Sequence, residues 1–193
     1  MQLIQQTDKY MVFDDLLSSE QFAEIWRVIP HDGFSAEGTL KRLSPSWGFD
    51  GGLPWATPAR KFSDMNGGLL YYTTVLGHCF HGLTIDAGAR LIALGWDDIR
   101  IHAQAFGRGI KLHWHADSHS SGSLTWYAHP EWRSSWGGEM LIAETPDDAQ
   151  EFPPTLDRQQ EDAILSAGMG TYIAPKPNRL VLLKYPSMAA AQA

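Results

Sequence analysis

The run Arg179-Leu180-Val181-Leu182-Leu183-Lys184-Tyr185 constrains the fold more than any other stretch. It is too short for a globular helix, and it has no polar alternation that would leave one side in water. Such a segment is of the sort found in a strand buried between layers, so at least two layers are expected around it. Pro177-Asn178 immediately before it is a turn signal.

The rest of the chain supplies candidates for those layers. Residues 1–13 read as an edge strand, with Tyr10, Val12 and Phe13 leading into Asp14-Asp15. Ser18 stands three before Gln21, the spacing of a capping box, and opens a helix. Phe22, Ile25, Trp26 and Ile29 give that helix one apolar stripe, and Pro30 ends it. A second helix is expected over Asp64–His81, with Leu69, Tyr72, Thr73, Leu76 and Phe80 on one side and Gly82 as its stop. Between them, residues 31–62 are broken by glycine and proline, as in loops that close over ligands. Trp47, Phe49 and Trp55 either cover a ligand there or anchor the loop to the core.

After Gly95 the apolar period becomes two. Ile99, Ile101, Ala103 and Ala105 share one face, and Arg100, His102, Gln104 and Phe106 the other. Gly107-Arg108-Gly109 turns the chain into a strand carrying His113, His115 and Asp117. Further strands are expected over Leu124–His129, Met140–Ala143 and Tyr172–Pro175, with a short helical turn within Leu156–Leu165. With 18 Gly, 11 Pro and 8 Trp but only 19% charged residues, the composition also favours short strands over a helical bundle. The expected fold is mainly β with flanking α-helices, as a sandwich or jelly roll. It is one domain of 193 residues, with helices and a lid-like loop in 1–95 and the β core in 96–186.

Charge and targeting signals narrow the function. A net charge of −7 argues against nucleic acid and anionic membrane partners. No apolar run reaches the roughly 18–20 residues of a spanning helix, and no secretory leader is visible, so a soluble, cytoplasmic protein is expected. The single cysteine, Cys79, excludes an internal disulfide and a cysteine-based zinc cluster.

On a strand, residues two apart face the same way, so His115 and Asp117 bring an imidazole and a carboxylate together, about 7 Å apart along the backbone. They form two corners of the 2-His-1-carboxylate triad that holds Fe(II) with open positions. The bland alternative is a strand-end histidine beside a turn aspartate. His113 lies on the same face but too far along to share an ion with Asp117. His78 and His81 have a helical metal-binding spacing but also suit surface or cap positions.

The ordered series Gly109, His115-Ala116-Asp117, Trp136-Gly137-Gly138-Glu139-Met140, Ile173-Ala174-Pro175 and Asn178-Arg179-Leu180-Val181-Leu182 resembles the Fe(II)- and 2-oxoglutarate-dependent oxygenases of the prolyl-4-hydroxylase-like branch. The resemblance spans residues 96–186, with the first helix as an N-terminal support. It implies a double-stranded β-helix, the cupin-like jelly roll, with Fe(II) and 2-oxoglutarate as cofactors and O₂ as co-substrate. The implied reaction is hydroxylation of an unactivated C–H of a small molecule or amino-acid side chain. The resemblance makes His115 and Asp117 the catalytic metal ligands, and an Asp at position 117 points to a hydroxylase rather than a halogenase. The polar face carrying His102 and Gln104 is where strand residues could touch the cosubstrate's carboxylate; His102 suits either a third metal ligand or a hydrogen-bonded pocket histidine, and Lys184 either adds positive charge or snorkels to solvent at the strand end. The aromatic group Trp126, Tyr127 and Trp132 would line the mouth.

The chain departs from that family in one respect. No histidine follows His129, so the distal histidine ligand is lacking, as is the Arg or Lys that would bind the far carboxylate of 2-oxoglutarate. The jelly roll is therefore expected to be incomplete at its C-terminal side. The competing expectation is a catalytically incomplete jelly-roll protein that binds a metal or ligand. A third is a different metal enzyme using His113, His115 and His119.

Overall fold

The computed structural model describes residues 1–31, 34–35, 49–57, 60–61, 100–112, 114–115, 122–143 and 158–184. Its centre is one four-stranded antiparallel sheet. The first strand, β1 (Gln2–Gln6), folds back on β2 (Tyr10–Asp14) through Thr7-Asp8-Lys9. The Thr7 hydroxyl accepts from the backbone N–H groups of Lys9 and Tyr10, at 3.1 and 3.0 Å. The stretch expected to be one edge strand is thus a hairpin, and its β2 half lies inside the sheet. The turn escaped the sequence reading because a threonine hydroxyl closes it rather than an Asn-Gly or Asp-Gly pair.

Helix α1 (Ser19–Val28) follows, and the capping box is present in full. Ser18 Oγ accepts from Gln21 N–H at 3.2 Å, and Gln21 Oε1 accepts from Ser18 N–H at 3.1 Å. Ile25 and Ile29 of the expected stripe are buried and Phe22 packs against them, but Trp26 is 37% exposed at the margin. Pro30 falls in a single 3₁₀ turn, Ile29–His31, in which the helix ends.

Three two-residue strands come next: β3 (Phe49–Asp50), β4 (Trp55–Ala56) and β5 (Arg60–Lys61). They pair antiparallel with β8 (Lys111–Leu112), β7 (Gln104–Ala105) and β6 (Arg100–Ile101), respectively. Each ladder continues the register of the last to within one residue, so together they form one irregular ribbon. Within the described part of the 31–62 stretch, residues 35, 49–50, 55–56 and 60–61 are therefore paired main chain. The expected second helix, with His78 and His81, lies outside the described residues.

Strand β9 (Gly122–Trp126) starts two residues earlier than expected and ends before His129. β10 (Met140–Ala143) follows as anticipated, and the helical turn is a full helix, α2 (Arg158–Ala167). β11 (Gly170–Ile173) pairs with β10, Met140 opposite Ile173 and Leu141 opposite Tyr172. β12 (Leu180–Lys184) is inserted between β2 and β9, giving the order β1-β2-β12-β9.

The burial of β12 follows from this order. Leu180 and Leu182 point to one face with Met11 and Phe13, where α1 packs through Ile25 and Ile29. Val181 points to the other with Tyr10 and Val12, covered by Ile173, Met140 and Ile142 of the β10–β11 pair. Leu180, Val181 and Leu182 have no exposed surface. Each such aliphatic side chain contributes about 1.5–3 kcal/mol of transfer free energy. The architecture is a helix, a four-stranded sheet and a smaller antiparallel pair, mainly β and antiparallel. No helix among the described residues is long and apolar enough to cross a membrane.

Candidate functional site

The 49–61/100–112 ribbon carries two of the four residues singled out from the sequence. Its regular alternation breaks between β6 and β7, where Ala103 N–H donates to Thr57 Oγ1 and Thr57 N–H to the Ala103 carbonyl, both at 3.0 Å. Thr57 is wholly buried, so its hydroxyl fills a place that a ladder bond would otherwise take. The break leaves His102 and Gln104 side by side and half-buried. The Gln104 amide donates to His102 Nε2 at 3.0 Å. Accepting there puts the imidazole proton on Nδ1. The pair thus carries N–H donors, of the kind a carboxylate accepts, and the His102 Nε2 lone pair is already used. His102 is in this arrangement a hydrogen-bonding group rather than a metal ligand.

Beyond the ribbon's turn the chain heads toward the proposed metal ligands. Ile110 N–H donates to the Gly107 carbonyl at 3.2 Å, and Gly109 sits at φ +81°. Gly51 lies so near that a Cβ there would stand 2.4 Å from the Gly109 carbonyl oxygen. His115 follows β8 in an isolated β-bridge position and is half-buried. Asp117 lies outside the described residues, as do His113 and His119. Among the described residues, no group of three His, Cys, Asp or Glu side chains converges as a metal site.

Residues 136–140, 173–175 and 178–182 adjoin one another. Met140 pairs with Ile173, and a Cβ on Gly138 would be 3.8 Å from Pro175 Cγ. Asn178, at φ +60°, makes the turn into β12. Its Oδ1 accepts from Leu17 N–H and Trp126 Nε1–H, both at 3.2 Å, and its amide donates to the Leu17 carbonyl at 2.8 Å. Its main chain receives Leu16 N–H and donates to the Tyr127 carbonyl. One buried side chain therefore ties the β2–α1 connection to β9 and β12.

Next to it, Arg179 Nε and Lys176 Nζ each lie 2.7 Å from the Asp14 carboxylate. Burial on its own raises the Asp14 pKa, but the hydrogen bonds and charges of Arg179 and Lys176 outweigh it and hold the group below its ordinary 3.8. Sequence reading gave Asp14 and Asn178 no such role, because neither partner is near in sequence.

On the opposite side of the β12 entry, burial pushes the Tyr127 phenol up to about 12, with Arg179 pulling it down and Glu139 and Tyr172 adding to the rise. Tyr127 meets His129 edge-on, ring centroids 6.1 Å apart.

No family model, curated protein or solved structure matches this chain.

Proposed function

We propose that the protein is an Fe(II)- and 2-oxoglutarate-dependent dioxygenase, a hydroxylase of a small molecule or amino-acid side chain, built on a jelly roll. One observation carries the reading: the ordered motif residues from Gly109 to Leu182, which lie far apart in the chain, include three segments (136–140, 173–175 and 178–182) packed around one end of a layered antiparallel β core. The helix α1 backing the four-stranded sheet also suits the N-terminal support of that fold.

His115 and Asp117 would hold the metal, a neutral nitrogen donor and an anionic oxygen donor of the types Fe(II) accepts. With 2-oxoglutarate bound, iron would supply O₂-dependent oxidation of a C–H bond coupled to decarboxylation to succinate. The chain's own contribution is positional. The hydrogen bond from Gln104 holds the His102 ring as its Nδ1–H tautomer, and the second N–H of the Gln104 amide can then donate to a carboxylate brought against that face. The β12 core beneath keeps the scaffold rigid while ligands bind.

The test is oxygen-dependent succinate formation by the iron-loaded protein. Asp117→Ala should reduce it by about a hundredfold or more, since second-shell losses alone reach 10–100-fold, with the circular dichroism spectrum unchanged. A loaded wild-type protein that neither turns over nor binds 2-oxoglutarate sinks the reading.

One sequence observation favours a second reading, a jelly-roll metal- or ligand-binding protein without a full triad: no histidine follows His129. That reading expects weak, easily exchanged metal at His115 and Asp117. Stoichiometric, tight Fe(II) on three protein ligands removes it.

A further inference from the structure

Both ring nitrogens of His129 are buried and have no hydrogen-bond partner. The ring sits where the tip of residues 130–138 meets the turn between β11 and β12. Tyr127, directly after β9, packs edge-on against it, and main-chain groups of Glu131 and Pro175 exert a weak pull on the ring without reaching hydrogen-bonding geometry. Buried polar atoms are nearly always satisfied, and leaving one unpaired costs about 1–3 kcal/mol, so an imidazole orphaned at both nitrogens calls for an explanation.

Among the described residues, only the main-chain groups of Glu131 and Pro175 act to favour a protonated ring. The charged side chains on the packed elements are Glu131 and Arg133 in the tip, Glu139 before β10, and Lys176 and Arg179 in the turn. Lys176 and Arg179 are committed to Asp14, and Arg133 lies over the Trp136 ring, 5.4 Å from its centroid. None of the five is among the influences on His129, whose pKa burial lowers against the weaker pull of the two main-chain groups.

The tip is also braced from within. It has bonds of its own, Trp132 Nε1–H to the Gly137 carbonyl at 3.0 Å and Trp136 N–H to the Arg133 carbonyl at 2.9 Å. At one end, Tyr127 is pinned to the β11–β12 turn by Arg179 and Asn178 main chain; at the other, Gly137 and Gly138 sit consecutively at φ +78° and +86°. Both ends can act as hinges.

We propose that His129 is a proton-operated latch that holds the 130–138 tip against the β11–β12 turn when neutral and releases it to water when protonated. The argument is independent of the dioxygenase reading. The ring resists protonation while the tip is closed, so the closed state binds fewer protons than the open one. Closure is therefore complete above the ordinary histidine value of 6.5 and is lost as pH falls below it, down to the closed-state pKa.

Hydrogen exchange on the full chain at about pH 8 and pH 5, corrected for intrinsic rates, tests this. Peptides covering 128–138 should lose protection by at least about fivefold at the lower pH, while those of β2 and β12 hold theirs. His129→Phe, which keeps the ring packing and removes both nitrogens, should abolish the difference. Unchanged protection in the wild type overturns the latch, as does an equal loss in the Phe variant. Should that variant fold poorly, the NMR titration of His129 in the unsubstituted protein decides: an apparent pKa below 6.5 is expected, and one at or above it overturns the proposal.

Discussion

Asn178 does two jobs that different substitutions separate. Its backbone at φ +60° favours glycine or asparagine, and its amide satisfies three partners from Leu17 and Trp126. Asn178→Ala should destabilise by about 3–5 kcal/mol, from stranded buried groups together with a left-handed alanine. Asn178→Gly keeps the turn and loses only the bonds, so it should recover about 1 kcal/mol of that. Urea midpoints of the two variants make the comparison, and equal losses would show that the backbone conformation contributes nothing. Asparagine before an apolar run was legible as a turn. Its partners were not, since Leu17 lies 161 positions away and nothing local to either residue announces the contact.

Among the elements, those that declare themselves through local chemistry were readable. Helix α1 follows from a capping box and a 3.6-residue stripe, and β12 from its unbroken apolar run. Elements held by remote partners were obscured: the alternation from Ile99 to Phe106 is split by Thr57, a residue more than forty positions earlier. The 49–61/100–112 ribbon likewise depends on a close main-chain approach that only glycine permits. Gly51→Ala places a Cβ against the Gly109 carbonyl and also strains φ, so it should cost about 2 kcal/mol or more and open the ribbon. Gly52→Ala, at φ +113° but with nothing within 4 Å, should cost less. The readout is exchange protection over 103–112, and a Gly52 variant that loosens this segment more than the Gly51 variant would contradict the account. Of the candidate site, the His102–Gln104 juxtaposition was readable from strand period, although the two residues turn out to bond each other.

For the molecule as a whole, acid acts on the Asp14 cluster in a range well below that of His129. The folded-state pKa of Asp14 is depressed, so its contribution is complete above the unfolded value near 3.8 and disappears as pH falls through the lower folded value. The Arg179 pair is the main contributor, because Lys176 is half exposed and its share is screened. Global stability measured by urea between about pH 6 and pH 2 should therefore drop most steeply below 3.8. Asp14→Asn should flatten that drop while lowering stability at neutral pH by about 3 kcal/mol, the scale of a broken buried pair. Parallel pH curves for the two proteins would mean that other carboxylates govern acid unfolding.

The insertion of β12 between β2 and β9 bears on how the chain reaches its native state. Arg179 and Asp14 are separated by 165 positions, so the central seam of the sheet joins segments made at widely different times on the ribosome. Until residues 180–184 emerge, β2 has an unfilled edge, and the hairpin it forms with β1 exposes apolar side chains of both faces. High contact order of this kind slows folding and lengthens the interval in which a nascent chain is prone to aggregate. A chaperone that shields the early hairpin would act during that interval.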